Sequence, residues 1–191
     1  MNCFLFRAVF ILFFSVYFSG CSEYKDFNVY AGRDPELAVM CKYPKNWHYS
    51  EQKGSHGGFT QVIFYDSADP KELKPSITIT SEKKSFERVA VQTKLNELIS
   101  KRLRFKDSRI CASTRDRVSS IIVPGFIVEY KTLSNLYSTD SSFTPVKEYV
   151  VITEDAERFY IIRYESPAAD FLKYEKMFKR CLSSLKFIKV P

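Results

Sequence analysis

The sequence predicts an α+β domain, a mostly antiparallel sheet with helices covering it. Three observations carry this. Strand-length runs rich in β-branched and aromatic residues recur between turn residues. Two longer stretches, 85–105 and 166–185, space their apolar residues three and four apart, the helical period. Two of the strand runs, 146–153 and 158–165, are separated only by Glu154, Asp155, Ala156 and Glu157, which fits an antiparallel hairpin. Hydrophobic residues make up 45% and aromatic residues 16% of the 191-residue chain, enough for a packed core, and the length fits one domain.

Ahead of that domain, residues 1–20 read as a secretory signal: Arg7 is the only charge, 8–18 are apolar, and Ser19 and Gly20 are small. The apolar run is too short to span ~30 Å of hydrocarbon, which needs about 20 residues. Cys21 follows at once. Phe18-Ser19-Gly20-Cys21 resembles the bacterial lipobox, which implies cleavage between Gly20 and Cys21 and lipid attachment at Cys21. Two or more acyl chains anchor stably. The expected location is the cell envelope, with the protein membrane-anchored through Cys21 and facing the periplasm or exterior. An Asp after the cysteine would resemble the inner-membrane retention signal, so Ser22 favours the outer membrane.

The formal net charge of +7 suits a protein held beside anionic head groups. Nucleic acid, the other partner of basic chains, is not expected of an exported protein. Cys3 leaves with the signal and Cys21 takes lipid. Cys41, Cys111 and Cys181 therefore remain where disulfides are permitted, with three pairings open and at most one bridge.

Residues 21–36 are polar, contain Gly32 and Pro35, and read as a tether from which Tyr24, Phe27 and Tyr30 can pack on the domain. The domain is taken as 37–191. Residues 37–43 form a strand stopped by Pro44, and Trp47 is expected in the core. Residues 50–58 read as a loop; Gly57-Gly58 lacks the Gly-Lys-Ser/Thr ending of a phosphate cradle. A strand at 59–65, a loop at 66–75 and a half-buried strand at 77–80 follow.

Ser85 is placed to cap a helix running to about residue 105. Val91, Leu95, Leu98, Ile99 and Leu103 lie on one face, with Lys94, Glu97, Lys101 and Arg104 on another. The basic run 101–109 suits the C-terminal helix dipole, with an anionic-lipid contact as the alternative. Strands at 110–118 and 121–130 follow, and Pro124-Gly125 is expected to mark a bulge or an edge. Residues 132–145 form the longest loop and mix polar residues with Leu133, Leu136, Tyr137 and Phe143. Long loops in compact domains are usually functional or mobile, so these four are the candidate partner surface. The late hairpin is apolar on successive positions, which requires cover on both sheet faces. Ser166 and Pro167 are expected to open the last helix, whose buried arc holds Phe171, Tyr174, Phe178, Cys181, Leu182 and Leu185.

Four features together resemble a known family: Tyr43-Pro44-Lys45-Asn46-Trp47, the mid-chain helix, the late hairpin, and a last helix ending Ser183-Ser184-Leu185-Lys186-Phe187. They resemble the PsbP-like, or Mog-type, α/β/α sandwich over residues 37–188. The family includes extrinsic photosystem proteins, a Ran-binding protein and bacterial envelope lipoproteins. It shares no active-site motif, so the resemblance implies a non-catalytic binding or scaffolding module.

The residues agree. His48 and His56 are the only imidazoles, and the spacing of Cys41, His48, Glu51 and His56 fits no standard metal site. No Gly-x-Ser-x-Gly turn is present. Asp66, Asp69 and Glu72 lack the glycine and distal glutamate of an EF-hand. No catalytic residue, metal or cofactor is expected. The expected function is lipid-anchored binding of a membrane or envelope partner. The alternatives are an enzyme whose site assembles from dispersed residues, and a secreted small-ligand-binding protein.

Overall fold

The computed structural model describes residues 27–54, 58–66, 73–84, 89–133 and 143–188. The strands are β1 (Phe27–Ala31), β2 (Val39–Pro44), β3 (His48–Lys53), β4 (Phe59–Tyr65), β5 (Ser76–Lys83), β6 (Lys106–Val118), β7 (Ile121–Leu133), β8 (Phe143–Glu154), β9 (Arg158–Pro167) and β10 (Lys186–Phe187). Helix α1 (Val91–Arg102) lies between β5 and β6, and α2 (Phe171–Ser184) between β9 and β10. Seven strands form one sheet in the order β3-β4-β5-β9-β8-β7-β6, and β1-β2-β10 form a second. All the pairings are antiparallel.

Alternation along the central strands explains why both helices are needed. On β9, Tyr160, Ile162 and Tyr164 point to one face, where α2 packs through Phe171, Phe178, Cys181 and Leu182. Phe159 and Ile161 point to the other, where α1 adds Leu95, with Leu98 and Ile99 half-buried. The α2 face is covered further by Tyr30, Val39, Cys41 and Tyr43 of the smaller sheet. The architecture is therefore α+β as expected, though richer in sheet than a plain three-layer sandwich. Trp47 is buried beside Tyr174, as its expected core role requires.

Several expectations change. The segment read as a tether contains a strand: β1 pairs with β2 from Phe27↔Pro44 to Ala31↔Met40, and Tyr30 is buried against Phe64. A strand pinned by one buried aromatic needs no strict alternation. Residues read as the start of a glycine loop form β3, which is polar because it is the outermost strand and mostly exposed. Ser166 and Pro167 end β9 and do not open α2; Pro167 pairs with Val146, and Asp170 is the residue before the helix. Helix α1 starts at Val91, and Ser85 lies outside the described residues. The loop read at 132–145 is shorter, since Lys131↔Pro145, Thr132↔Thr144 and Leu133↔Phe143 are strand pairs.

Pro124 keeps half of its expectation. Strand β7 is interior, but its pairing with β8 runs only from Gly125↔Val151 to Leu133↔Phe143, so Pro124 sits where that ladder has ended and pairs with Arg115 of β6 alone. The bulges lie instead on β6, between Lys106 and Arg109 and between Ile110 and Ala112. Gly125 is required by close approach: a Cβ there would stand 2.5 Å from the Val150 carbonyl oxygen.

One row of paired residues, His48–Tyr65–Ser76–Glu165–Glu148–Val128–Ile110, marks the end of the large sheet at which β1 begins. This basal end also receives the C-terminus of α1, the N-terminus of α2 and the paired ends of β7 and β8.

Candidate binding surface

At the basal end, residues 103–106 join α1 to β6 and reach the β7–β8 hairpin. Phe143 is 43% exposed, and Lys106 Nζ lies 4.3 Å from its ring centroid, a cation–π contact. Phe105, equally exposed, stacks on buried Tyr130 with centroids 4.9 Å apart. Leu103 is also exposed, at 48%, where the helical face had placed it in the core. Leu103 caps the helix, its N–H still bonded to the Ile99 carbonyl, where the chain leaves α1 for β6.

Buried ionic groups hold this surface from beneath. Arg102 closes α1 and grips Glu148 of β8 bidentately: Nη2 donates to Oε1 at 2.8 Å and Nε donates to Oε2. Glu148 has no exposed surface. Tyr130 donates to Glu165 Oε2 at 3.1 Å. Burial, followed by the charge of Glu148, raises the Glu165 carboxyl above its ordinary value. Burial and the same two carboxylates push the Tyr130 hydroxyl well up. Burial opposes the Arg102 charge, but the hydrogen bonds and charge of Glu148 outweigh it and raise its pKa. The result fixes α1 to β8 and sets the angle at which Leu103, Phe105 and Lys106 leave the helix.

Sequence reasoning missed this network. Its signal was present: Glu148 occupies an inward position in a strand whose neighbours on both faces are apolar, and such a carboxylate needs a cation. Which cation answers it depends on where α1 lies over the sheet.

Further along the same face is a recess of about 190 Å³, walled by Phe59, Leu98 and Ile161 with Gln61, Thr80, Glu82 and Arg163 between them. Lys94 Nζ reaches Glu82 Oε2 at 2.7 Å. Arg163 Nε is buried there without a partner among the described residues.

The residues singled out in the sequence are scattered. Gly20, Cys21, Leu136, Tyr137 and His56 lie outside the described residues. Leu133 and Phe143 are the last pair of the β7–β8 ladder. His48 is exposed on outermost β3, its ring 6.0 Å from Tyr65. Asp66 accepts a hydrogen bond from the Tyr174 hydroxyl at 3.0 Å, a packing role. No group of three or more metal-ligating side chains occurs among the described residues, nor a helix long and apolar enough to cross a membrane. Cys41 and Cys181, 140 positions apart in sequence, meet as free buried thiols, and hydrogen bonding between them, then burial, pushes the Cys41 thiol up. Cys111 is exposed on β6.

Comparison of the sequence with protein-family models and with curated proteins gave no match. The fold does have relatives among solved structures, and it is PsbP-like. The structure of LpqN, involved in cell envelope biogenesis of Mycobacterium tuberculosis, aligns with a TM-score of 0.57 at 10% identity, covering 85% of this chain and 91% of that one. The solution structure of cyanobacterial PsbP (CyanoP) from Synechocystis sp. PCC 6803 aligns with a TM-score of 0.54 at 11% identity, covering 88% of this chain and 96% of that one. At these identities the likeness is one of fold.

Proposed function

We propose that this chain is a lipid-anchored envelope protein whose PsbP-like domain is a non-catalytic binding module for a membrane or envelope partner. The observation that carries the binding role is the basal surface of Leu103, Phe105, Lys106 and Phe143. Apolar and cationic side chains are exposed there together and are braced by the buried Arg102–Glu148 pair. The anchor rests on the 18–21 sequence, with lipid at Cys21. The fold-relative LpqN, described as involved in cell envelope biogenesis, suits that setting.

The test is the intact mass of the chain extracted from its own membranes in mild detergent. A chain beginning at acylated Cys21, with Cys21→Ala released from the membrane fraction, is the expected result. An unacylated chain would overturn the anchor. Replacing His48 and His56 together is expected to leave function intact, whereas loss of function in a folded double variant would favour an enzyme with dispersed residues. The recess favours one further reading, a small-ligand-binding protein. A ligand there would set apolar atoms against Phe59 and Leu98 and polar atoms against Gln61 and Arg163.

A further inference from the structure

We infer that the basal end of the domain lies directly against an anionic bilayer surface, so that the fold sits upright on the membrane that holds Cys21. The orientation rests on the lipid-anchor reading above; the surface chemistry stands by itself. The sheet register supplies the first argument. Strand β1 begins at Phe27 opposite Pro44, next to the turn that leads into His48, and His48 opens the basal row. Five residues separate Cys21 from Phe27, and the six steps between them reach about 20 Å when fully extended. An acylated Cys21 therefore holds this end, and not the opposite one, close to the head groups.

The chemistry of the end supplies the second argument. In the first turn of α2, Leu172 has 76% of its surface exposed and is followed by exposed Lys173. On the β8–β7–β6 side of the same end, Leu103, Phe105 and Phe143 are exposed with Arg104 and Lys106 between them. Among the described residues, Arg104, Lys106 and Lys173 form no ion pair with a carboxylate. Among the described residues, most acids of this end are engaged within the protein: Asp107 with Lys131, Glu129 with Arg109 and Lys147, and Asp66 with Tyr174; Asp170 is exposed near Leu172. Lys106 lies over the Phe143 ring and Lys173 over the Tyr174 ring, and apolar side chains alternating with cations not neutralised by a carboxylate match the boundary between acyl chains and anionic head groups. The opposite end also exposes Ile121 and Ile122, with exposed Arg117 across the ladder from Ile122, while in its β8–β9 turn Glu154 is paired with Lys84 and Glu157 is exposed; it is the position of the β1 start that separates the two ends.

The test uses the full chain, with Cys111→Ser and a single exposed thiol introduced as Leu172→Cys or Ile122→Cys to carry an environment-sensitive fluorophore. Both positions are exposed, so both variants keep the core. The acylated protein is placed in vesicles of phosphatidylcholine alone or mixed with phosphatidylglycerol. The expected result is that the basal probe is quenched by lipid-borne quenchers in the anionic vesicles and the distal probe is not. Arg104→Glu, Lys106→Glu and Lys173→Glu together should lower that quenching to the phosphatidylcholine level while the protein stays vesicle-bound through its lipid.

Equal quenching at both ends, or a basal probe that stays in water, would overturn the inference and leave the anchor standing. If the chain proves unacylated, it is added to the vesicles from solution. Binding to anionic vesicles that the triple reversal weakens about tenfold or more then supports the surface, and absence of binding overturns it. In native membranes, a basal probe shielded from water and lipid quencher alike would assign the surface to a protein and overturn the bilayer reading.

Discussion

On the α2 face of the large sheet, Tyr164, Phe64, Ile162, Phe178 and Leu182 are all but fully buried, and the smaller sheet closes over them. On the α1 face, Val150, Ile152 and Ile161 share their layer with Glu148, Glu165, Arg102 and Arg163, and the recess stays open beside them. The first face is apolar packing with aromatic contacts such as Tyr164–Phe178 at 5.6 Å. The second gives up part of its packing to hold ionic groups in fixed positions. The contrast teaches that one side of the sheet is closed by apolar packing while the other holds ionic groups in place, and that the α1 side, through Arg102, fixes where Leu103, Phe105 and Lys106 emerge.

The largest effect tests the packed face. Cys41 of β2 and Cys181 of α2 are in contact, and a disulfide donor can take their two electrons while two protons leave. With Cys3 and Cys21 replaced by Ala, a chain refolded in a thiol–disulfide buffer is expected to retain one alkylatable thiol, Cys111, and to be more stable by about 4–5 kcal/mol because the closed loop is long. Three reactive thiols after denaturation would refute the bridge. Removing the ring in Phe178→Ala should cost about 4 kcal/mol in a urea titration, since the site is closed on all sides.

The ionic face should respond differently. Arg102→Met strands the buried Glu148 carboxylate and should cost about 3 kcal/mol, and adding Glu148→Met should recover most of it, because two apolar groups need no partners. No recovery in the double variant would mean that the pair contributes by more than mutual neutralisation. Glu165 supplies the pH signature. Its folded pKa lies above the ordinary 4.5, so the native state holds the proton more tightly and its contribution is complete below 4.5. That contribution is lost as pH rises through the folded value. Denaturation midpoints should therefore fall over that window for the parent chain and fall less for Glu165→Gln. Smallest of all, Leu172→Ser should change stability by less than about 0.5 kcal/mol, as an exposed side chain with no core role.

Much of the fold was legible because it depends on local pattern. The β8–β9 hairpin, strand β4 with the bounds 59–65, and the buried arc of α2 all follow from spacing along a short segment. Strands β1 and β3 were missed for the opposite reason. Their pairing partners lie across a turn, and their exposed side chains show no strand signature. Pro167 illustrates a real ambiguity, since its fixed φ suits the first turn of a helix and the end of a strand equally. Of the candidate site, Phe143 was legible as an apolar residue in a polar stretch. Lys106 was legible as part of the basic run 101–109; that it and the exposed Leu103 and Phe105 meet Phe143 was not, because they belong to another element brought alongside.

The sequence by itself determined the compartment expected for this protein, the α+β class, the amphipathic helices and the absence of a recognisable catalytic motif. These are properties of residue order and composition. Only the tertiary structure decided that Glu148 meets Arg102, that Cys41 meets Cys181, and that the start of β1, the α2 N-terminus and the Leu133–Phe143 pair share one end of the sheet. Each of these depends on strand register and on where a helix rests over the sheet. Both are fixed by packing between residues far apart in the chain, and so are invisible in any local window of it.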